Sequence, residues 1–232
     1  MARTTTRYLG RGIYSLADAS RLTRLPARRI RRWVEGYDFN QGGRVHHSGP
    51  VMRSDFGRVD GSLALSFADL VELGFLNEFR KLGVSWPAIR VTSEQASLLL
   101  GRDHPFSSRQ FLTDGRTILT NIARESEEPE LLDLVKSQMA FQAVLQSYLK
   151  HAFEWSADDR VAKWWHEAGH GRVVLDPARA FGAPILSVER VPTRVIFRAF
   201  KIEGSLEAAA RMFEVPRASA KAAIEFEQRL AA

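Results

Sequence analysis

Apolar residues recur at helical spacing from the first quarter of the chain onward. In "YSLADASRLTRLPARRIRRWVEGY", Ser15 is placed to N-cap a helix through Leu16, Ala17, Ala19 and Ser20 to Leu22. Thr23, Arg24 and Leu25 form a short turn. Pro26 suits the first turn of a second helix, where its missing N–H costs nothing, and Gly36 ends that helix. Within it, Ile30, Trp33 and Val34 stand at i, i+3 and i+4 and make one apolar stripe. Arg28 and Arg32 lie opposite the stripe, with Arg29 and Arg31 on its flanks. Two short helices joined by a tight turn are a helix-turn-helix pattern.

The helical period then stops. "DFNQGGRVHHSGPVMRSDFGRVDGSLALSF" is rich in Gly, Ser and Asp and predicts a long, irregular hairpin or loop. Beside a helix-turn-helix it would be a wing, with Arg44, Arg53 and Arg58 meeting phosphates. His46 and His47 are adjacent and point different ways on a strand, so they read as polar wing residues and not as metal ligands. The period returns in "SFADLVELGFLNEFRKLG", capped by Ser66 and closed by Gly83, and again from Ser85 to Gly101.

Further on, Asp114-Gly115 between "RQFLT" and "RTILT" predicts a β-hairpin. A short helix is expected over Glu130 to Val135, a longer one up to about Lys150, and a strand over Ala152 to Trp155. The last sixty residues predict a strand over Arg172 to Leu175, turns at Pro177, Gly182 and Pro184, and three helices. These helices start near Pro192, Ser205 and Pro216. The expected class is α+β, mostly α, in three parts: a winged helix-turn-helix over residues 1–102, a β-hairpin and helical connection over 103–158, and a small three-helix, helix-turn-helix-like domain over 159–232.

Charge sharpens this picture. The 232-residue chain has a net charge of +6. Residues 1–60 carry twelve Arg, no Lys and five acidic residues, a net +7, so the excess positive charge sits in the first quarter. A clustered basic segment is the electrostatic footprint of a nucleic-acid binder. Arg28 and Arg32 form a like-charge i,i+4 pair that weakens an isolated helix, and a face of this kind suits phosphates and base edges. By contrast, residues 205–232 set four basic side chains against four glutamates. A neutral segment gains little from a duplex bearing one charge every ~1.7 Å, so an interaction or dimerisation role fits it better. With no cysteine, disulfides, zinc-thiolate sites and Cys nucleophiles are excluded. No apolar run approaches the ~18 residues of a membrane span. The start lacks a secretory h-region, so a cytoplasmic location is expected.

One string suggests catalysis. His166-Glu167-Ala168-Gly169-His170 spells H-E-x-x-H, the zinc-binding helix signature of metalloproteases, and Glu189 lies downstream at a spacing that could give a third ligand. That chemistry requires both histidines on one face of an uninterrupted helix. Here the chain runs at once from Gly171 into β-branched "RVVLDP", so the string reads as a turn within a β-hairpin and the zinc hydrolase stays a remote alternative. There is no phosphate-binding glycine loop and no G-x-S-x-G, so neither an enzyme nor a cofactor is called for.

The first 100 residues resemble the winged helix-turn-helix of the MerR class. Ile30, Arg31 and Trp33 match its Ile-Arg-aromatic core, and Leu70 to Ile89 resembles its third and fourth helices. The long segment between departs from the compact MerR wing, and the dimerising coiled coil and effector cysteines of many members are absent. The segment from "VVLDPARAFGAPIL" to "EFEQRL" is similar to the domain of unknown function 433. Together, from about residue 8 to the end, the chain resembles VapB-type antitoxins paired with PIN-domain ribonuclease toxins. The resemblance implies operator DNA and a ribonuclease toxin as partners, a homodimer, and DNA contacts from Ser15, Arg24, Arg28, Arg29, Arg31, Arg32, Arg44, Arg53 and Arg58. A stand-alone MerR-like transcriptional regulator is the alternative.

Overall fold

Serine caps read from the sequence do start helices. In the computed structural model, which describes residues 8–126, 153–165 and 171–231, Ser15 and Ser66 each close a reciprocal capping box with the Asp three residues on. Ser85 accepts a hydrogen bond from the Ala88 N–H. The helices expected over Glu130 to Val135 and up to Lys150, and the string His166 to His170, lie outside the described residues. The chain divides into two compact units, one of residues 14–150 with 157–161, the other of residues 1–13, 151–156 and 162–232. The described elements are mixed α and β with helix predominating, the class expected.

The first unit opens with β1 (Tyr14–Ser15), α1 (Leu16–Thr23) and α2 (Ala27–Glu35). Arg24 adopts a left-handed conformation (φ 56°) to end α1, and the Ser20 hydroxyl donates to Leu25 O at 2.6 Å, which fixes the turn. The following segment is more regular than its composition suggested. It forms two hairpins, β2 (Tyr37–Gln41) with β3 (Arg44–Ser48), and β4 (Gly57–Val59) with β5 (Ser62–Leu65). Gly42 and Gly43, both at positive φ, make the two-residue turn of the first. In the second, β5 is central, with β1 on its other side.

Next come α3 (Phe67–Lys81), α4 (Trp86–Leu100) and α5 (Arg109–Ser126). The hairpin expected at Asp114-Gly115 is not formed: both residues lie inside α5. Phe111, Gly115, Ile118, Leu119, Ile122 and Ala123 are buried at helical spacing, so packing outweighs the local turn signal. Phe111 enters a cluster with Phe75, Phe79 and Phe106, in which Phe106 and Phe111 meet edge-to-face at 4.9 Å.

A charged cluster lies against this core. Asp69 and Glu72 of α3 are fully buried, and His104, between α4 and α5, faces both. Burial raises the Glu72 carboxyl to about 8, against the opposing pull of His104 and of the Phe106 and Ser107 N–H groups. Asp69 is raised to about 6, also by burial. Burial lowers His104, but Asp55, Asp69 and Glu72 outweigh it and bring the imidazole to about 9.

The second unit holds a four-stranded sheet in the order β6 (Phe153–Trp155), β7 (Val161–Trp165), β8 (Val173–Leu175), β9 (Pro184–Leu186). Its helices are α6 (Thr193–Glu203), α7 (Leu206–Met212) and α8 (Arg217–Ala231), the three expected. Ile196, Ala209, Ala220, Ala223, Ile224 and Phe226 are buried among them. The Thr193 hydroxyl donates to the buried Glu227 carboxylate at 2.5 Å and so ties α6 to α8. The N-terminal residues belong here as well, through Ile13 N–H donating to Phe181 O at 2.9 Å.

Candidate nucleic-acid interface

Helix α2 is held by its apolar stripe. Ile30, Trp33 and Val34 are buried, and Trp33 meets Trp86 of α4 edge-on at 4.6 Å. That anchoring turns Arg28, Arg29 and Arg31 to solvent. None of the three makes an ion pair among the described residues, and the first turn of α2 holds no acidic residue. Cations there oppose the positive end of the helix dipole, at a cost of about 0.3–1 kcal/mol each. Arg32, half-buried, stacks on the Tyr37 ring at 4.7 Å.

The first hairpin grows from the end of α2. Gly36 has φ +78° and lies so close to Ser48 that an added Cβ would stand 2.6 Å from its carbonyl oxygen. Val51 N–H donates to Trp33 O at 2.7 Å, returning the chain to the helix. From α4, Arg90 donates to Ser48 Oγ, Gly49 O and Pro50 O at 3.0, 2.9 and 3.3 Å. Between α2, the hairpin root and α4 opens a cleft of about 360 Å³ lined by Arg28, Arg29, Arg32, Trp86 and Arg90 among others. Along the hairpin, Phe39 stacks on His46 at 5.5 Å, and His47 Nδ1 pairs with Asp38 at 2.7 Å.

The other expected contacts are placed variously. Arg44 is exposed beside the Gly42-Gly43 turn, and Arg53 is exposed between the hairpins. Arg24 is exposed in the turn between α1 and α2. The Ser15 side chain is occupied by the cap of α1. Arg58 is engaged by Glu35 at the end of α2: its Nε lies 2.8 Å from Oε1 and its Nη2 donates to Oε2 at 3.0 Å, while Nη1 donates to Gly61 O at 2.7 Å. Arg90, Trp86 and Tyr37 went unread in the sequence. Arg90 lies about forty residues from the carbonyls it holds, and no local pattern announces such a strut.

For the zinc alternative, Glu189 is already engaged, accepting a 2.6 Å hydrogen bond from Ser219, which itself accepts from Arg172. His166 and His170 lie outside the described residues, but β7 ends at Trp165, β8 begins at Val173, and the two pair antiparallel. The flanks are those of the expected β-connection. Of the tryptophans, Trp164 is buried and Trp165 donates to Glu154 at 2.9 Å.

No protein-family model matches the chain. In fold it is similar to the crystal structure of Rv2018 from Mycobacterium tuberculosis, with a TM-score of 0.69, 24% identity, and coverage of 91% of this chain and 96% of that one. In sequence it is 30% identical over 184 residues to the Mycobacterium tuberculosis protein named "Putative antitoxin VapB45", across 75% of this chain and 76% of the relative. Among the described residues no helix is long and apolar enough to cross a membrane. By that extended relationship the chain belongs to the VapB-type antitoxins.

Proposed function

We propose that this antitoxin binds operator DNA through a winged helix-turn-helix and neutralises a PIN-domain ribonuclease. In this reading α1 and α2 are the helix-turn-helix, α2 enters the major groove, and the β2–β3 hairpin is the wing. The observation that carries it is the trio Arg28, Arg29 and Arg31, exposed and without counterions among the described residues, on a helix fixed by Ile30, Trp33 and Val34. Phosphates would supply the missing negative charge, and guanidinium forks can read guanine edges. Arg24, Arg44 and Arg53 extend the positive surface, and Arg32 supports it from the Tyr37 ring.

Two-fold operators call for two copies of the reader, so the DNA-bound form is a homodimer. The second unit takes the protein-interaction role. Exposed Val195 and Ile202, seven residues apart on α6, with Met212 on α7, support that assignment.

The test has two arms. Footprinting with the full chain on DNA upstream of its own gene is expected to protect a two-fold site, with Arg28→Ala, Arg31→Ala and Arg32→Ala together abolishing protection. Undiminished protection would remove the assignment of α2. Co-expression with the product of any PIN-domain gene adjoining its own should yield a co-purifying complex with no nuclease activity; the lack of such a gene, or failure to co-purify, would leave a DNA-binding regulator without a toxin.

A further inference from the structure

Outside the basic surface, one cluster gathers ligand atoms on a common point. Asp55 comes from the loop before β4, Asp69 from the first turn of α3, and His104 from the segment between α4 and α5. His104 Nε2 lies 3.2 Å from Asp55 Oδ1 and 3.3 Å from Asp69 Oδ1. One ligand atom from each of the three falls within 4.8 Å of the others. The side chains are only 12%, 0% and 11% exposed, in the order Asp55, Asp69, His104.

An ordinary buried ion pair would aim the imidazole N–H at one oxygen. Here Nε2 is shared between two carboxylate oxygens with neither in good hydrogen-bond alignment, and buried Nδ1 has no partner among the described residues. Nε2 stands nearly equidistant from two carboxylates, as it would if all three donors addressed one centre. Ligand bonds of about 2.0–2.2 Å around a tetrahedral or octahedral ion separate neighbouring donors by roughly 2.8–3.6 Å. The observed 3.2 and 3.3 Å separations meet that requirement.

Charge and support point the same way. Asp55 and Asp69 share a single imidazole, so a divalent ion placed there would meet two carboxylate oxygens. Asp69 Oδ2 accepts from Ser66 N–H at 2.8 Å and Ser54 Oγ at 3.1 Å, which fixes the carboxylate and directs Oδ1 at His104. Glu72 accepts from the Phe106 and Ser107 N–H groups at 3.4 and 3.0 Å and holds the His104 segment in place.

We infer that Asp55, Asp69 and His104 bind a divalent first-row transition-metal ion, Zn²⁺ or Mn²⁺. Two hard oxygens and an imidazole, with no thiolate, match that class. The ion would join the loop before β4 to α3 and to the α4–α5 connection, independently of DNA binding.

Isothermal titration of the metal-stripped full chain with ZnCl2 and with MnCl2 tests the inference. The expected result is saturable one-to-one binding of at least one ion, weakened by at least about tenfold in both Asp55→Asn and His104→Gln. His166→Ala should bind as the parent does. Absence of saturable binding overturns the inference, as does binding that survives both substitutions or is lost in His166→Ala. Because His104→Gln alters a buried group, the parent protein supplies a second readout. Its Tm should rise with saturating metal, as for any ligand of the folded state alone, and a Tm unmoved by both ions also overturns the inference.

Discussion

Replacing Arg28, Arg29 and Arg31 together by glutamine removes three exposed charges and leaves the anchoring stripe of α2 intact. Each phosphate contact releases counterions, so each lost contact flattens the dependence of log K on log salt by about 0.9 on duplex DNA. Three contacts per protomer change the slope by about 2.7. Raising salt from 50 to 200 mM then weakens the parent protein about 40-fold more per bound protomer than the variant. The term is independent of sequence, so fluorescence anisotropy on any labelled 30-base-pair duplex reads it. Folding stability should not fall, and should rise by up to about 2 kcal/mol, because the three side chains touch solvent and Arg28 and Arg29 oppose the positive end of α2. An unchanged salt slope in a variant that melts no lower than the parent would refute the reasoning: the arginines would then not meet phosphate.

Glu35→Gln should act in the opposite direction, freeing the Arg58 guanidinium and steepening the same salt slope by about 0.9 per protomer. Arg58 is 56% exposed and Glu35 26%, so the pair remains open to solvent and the loss in a urea melt should be about 1 kcal/mol. Gly36→Ala should destabilise the first unit by at least about 1–3 kcal/mol in chemical denaturation, since it combines a positive φ with a Cβ 2.6 Å from Ser48 O. Thr193→Val, which keeps the volume of the side chain but removes the donor to buried Glu227, should cost about 1–3 kcal/mol, read as a lower denaturation midpoint of the second unit.

What was legible in the chain was local. The caps at Ser15, Ser66, Ser85 and Ser205 and the stripe Ile30, Trp33, Val34 are interactions within a few residues, and each formed as read. Asp114-Gly115 shows the limit. A two-residue turn signal competed with buried positions spread over Phe111 to Ala123, and packing against distant phenylalanines decided the outcome. Gly42-Gly43 shows the reverse: its turn signal was present in the sequence but obscured by the polar composition around it. The family resemblance rested on the order of segments and agrees with the antitoxin relationship. The cluster at Asp55, Asp69 and His104 joins three stretches separated by fourteen and thirty-five residues, so no spacing rule could announce it.

The root of the first hairpin has no slack. One strand leaves α2 through Gly36, pressed against Ser48, and the other returns under three hydrogen bonds from Arg90. A lever clamped at both feet cannot swing as a whole; any give belongs to its far end, near Gly42 and Gly43. Substitutions that retune the tip would therefore adjust grip without shifting aim, whereas a change at Arg90, remote from the tip, would tilt the entire arm. In the proposed wing, affinity and alignment would thus be set separately, one at the tip and the other at the root.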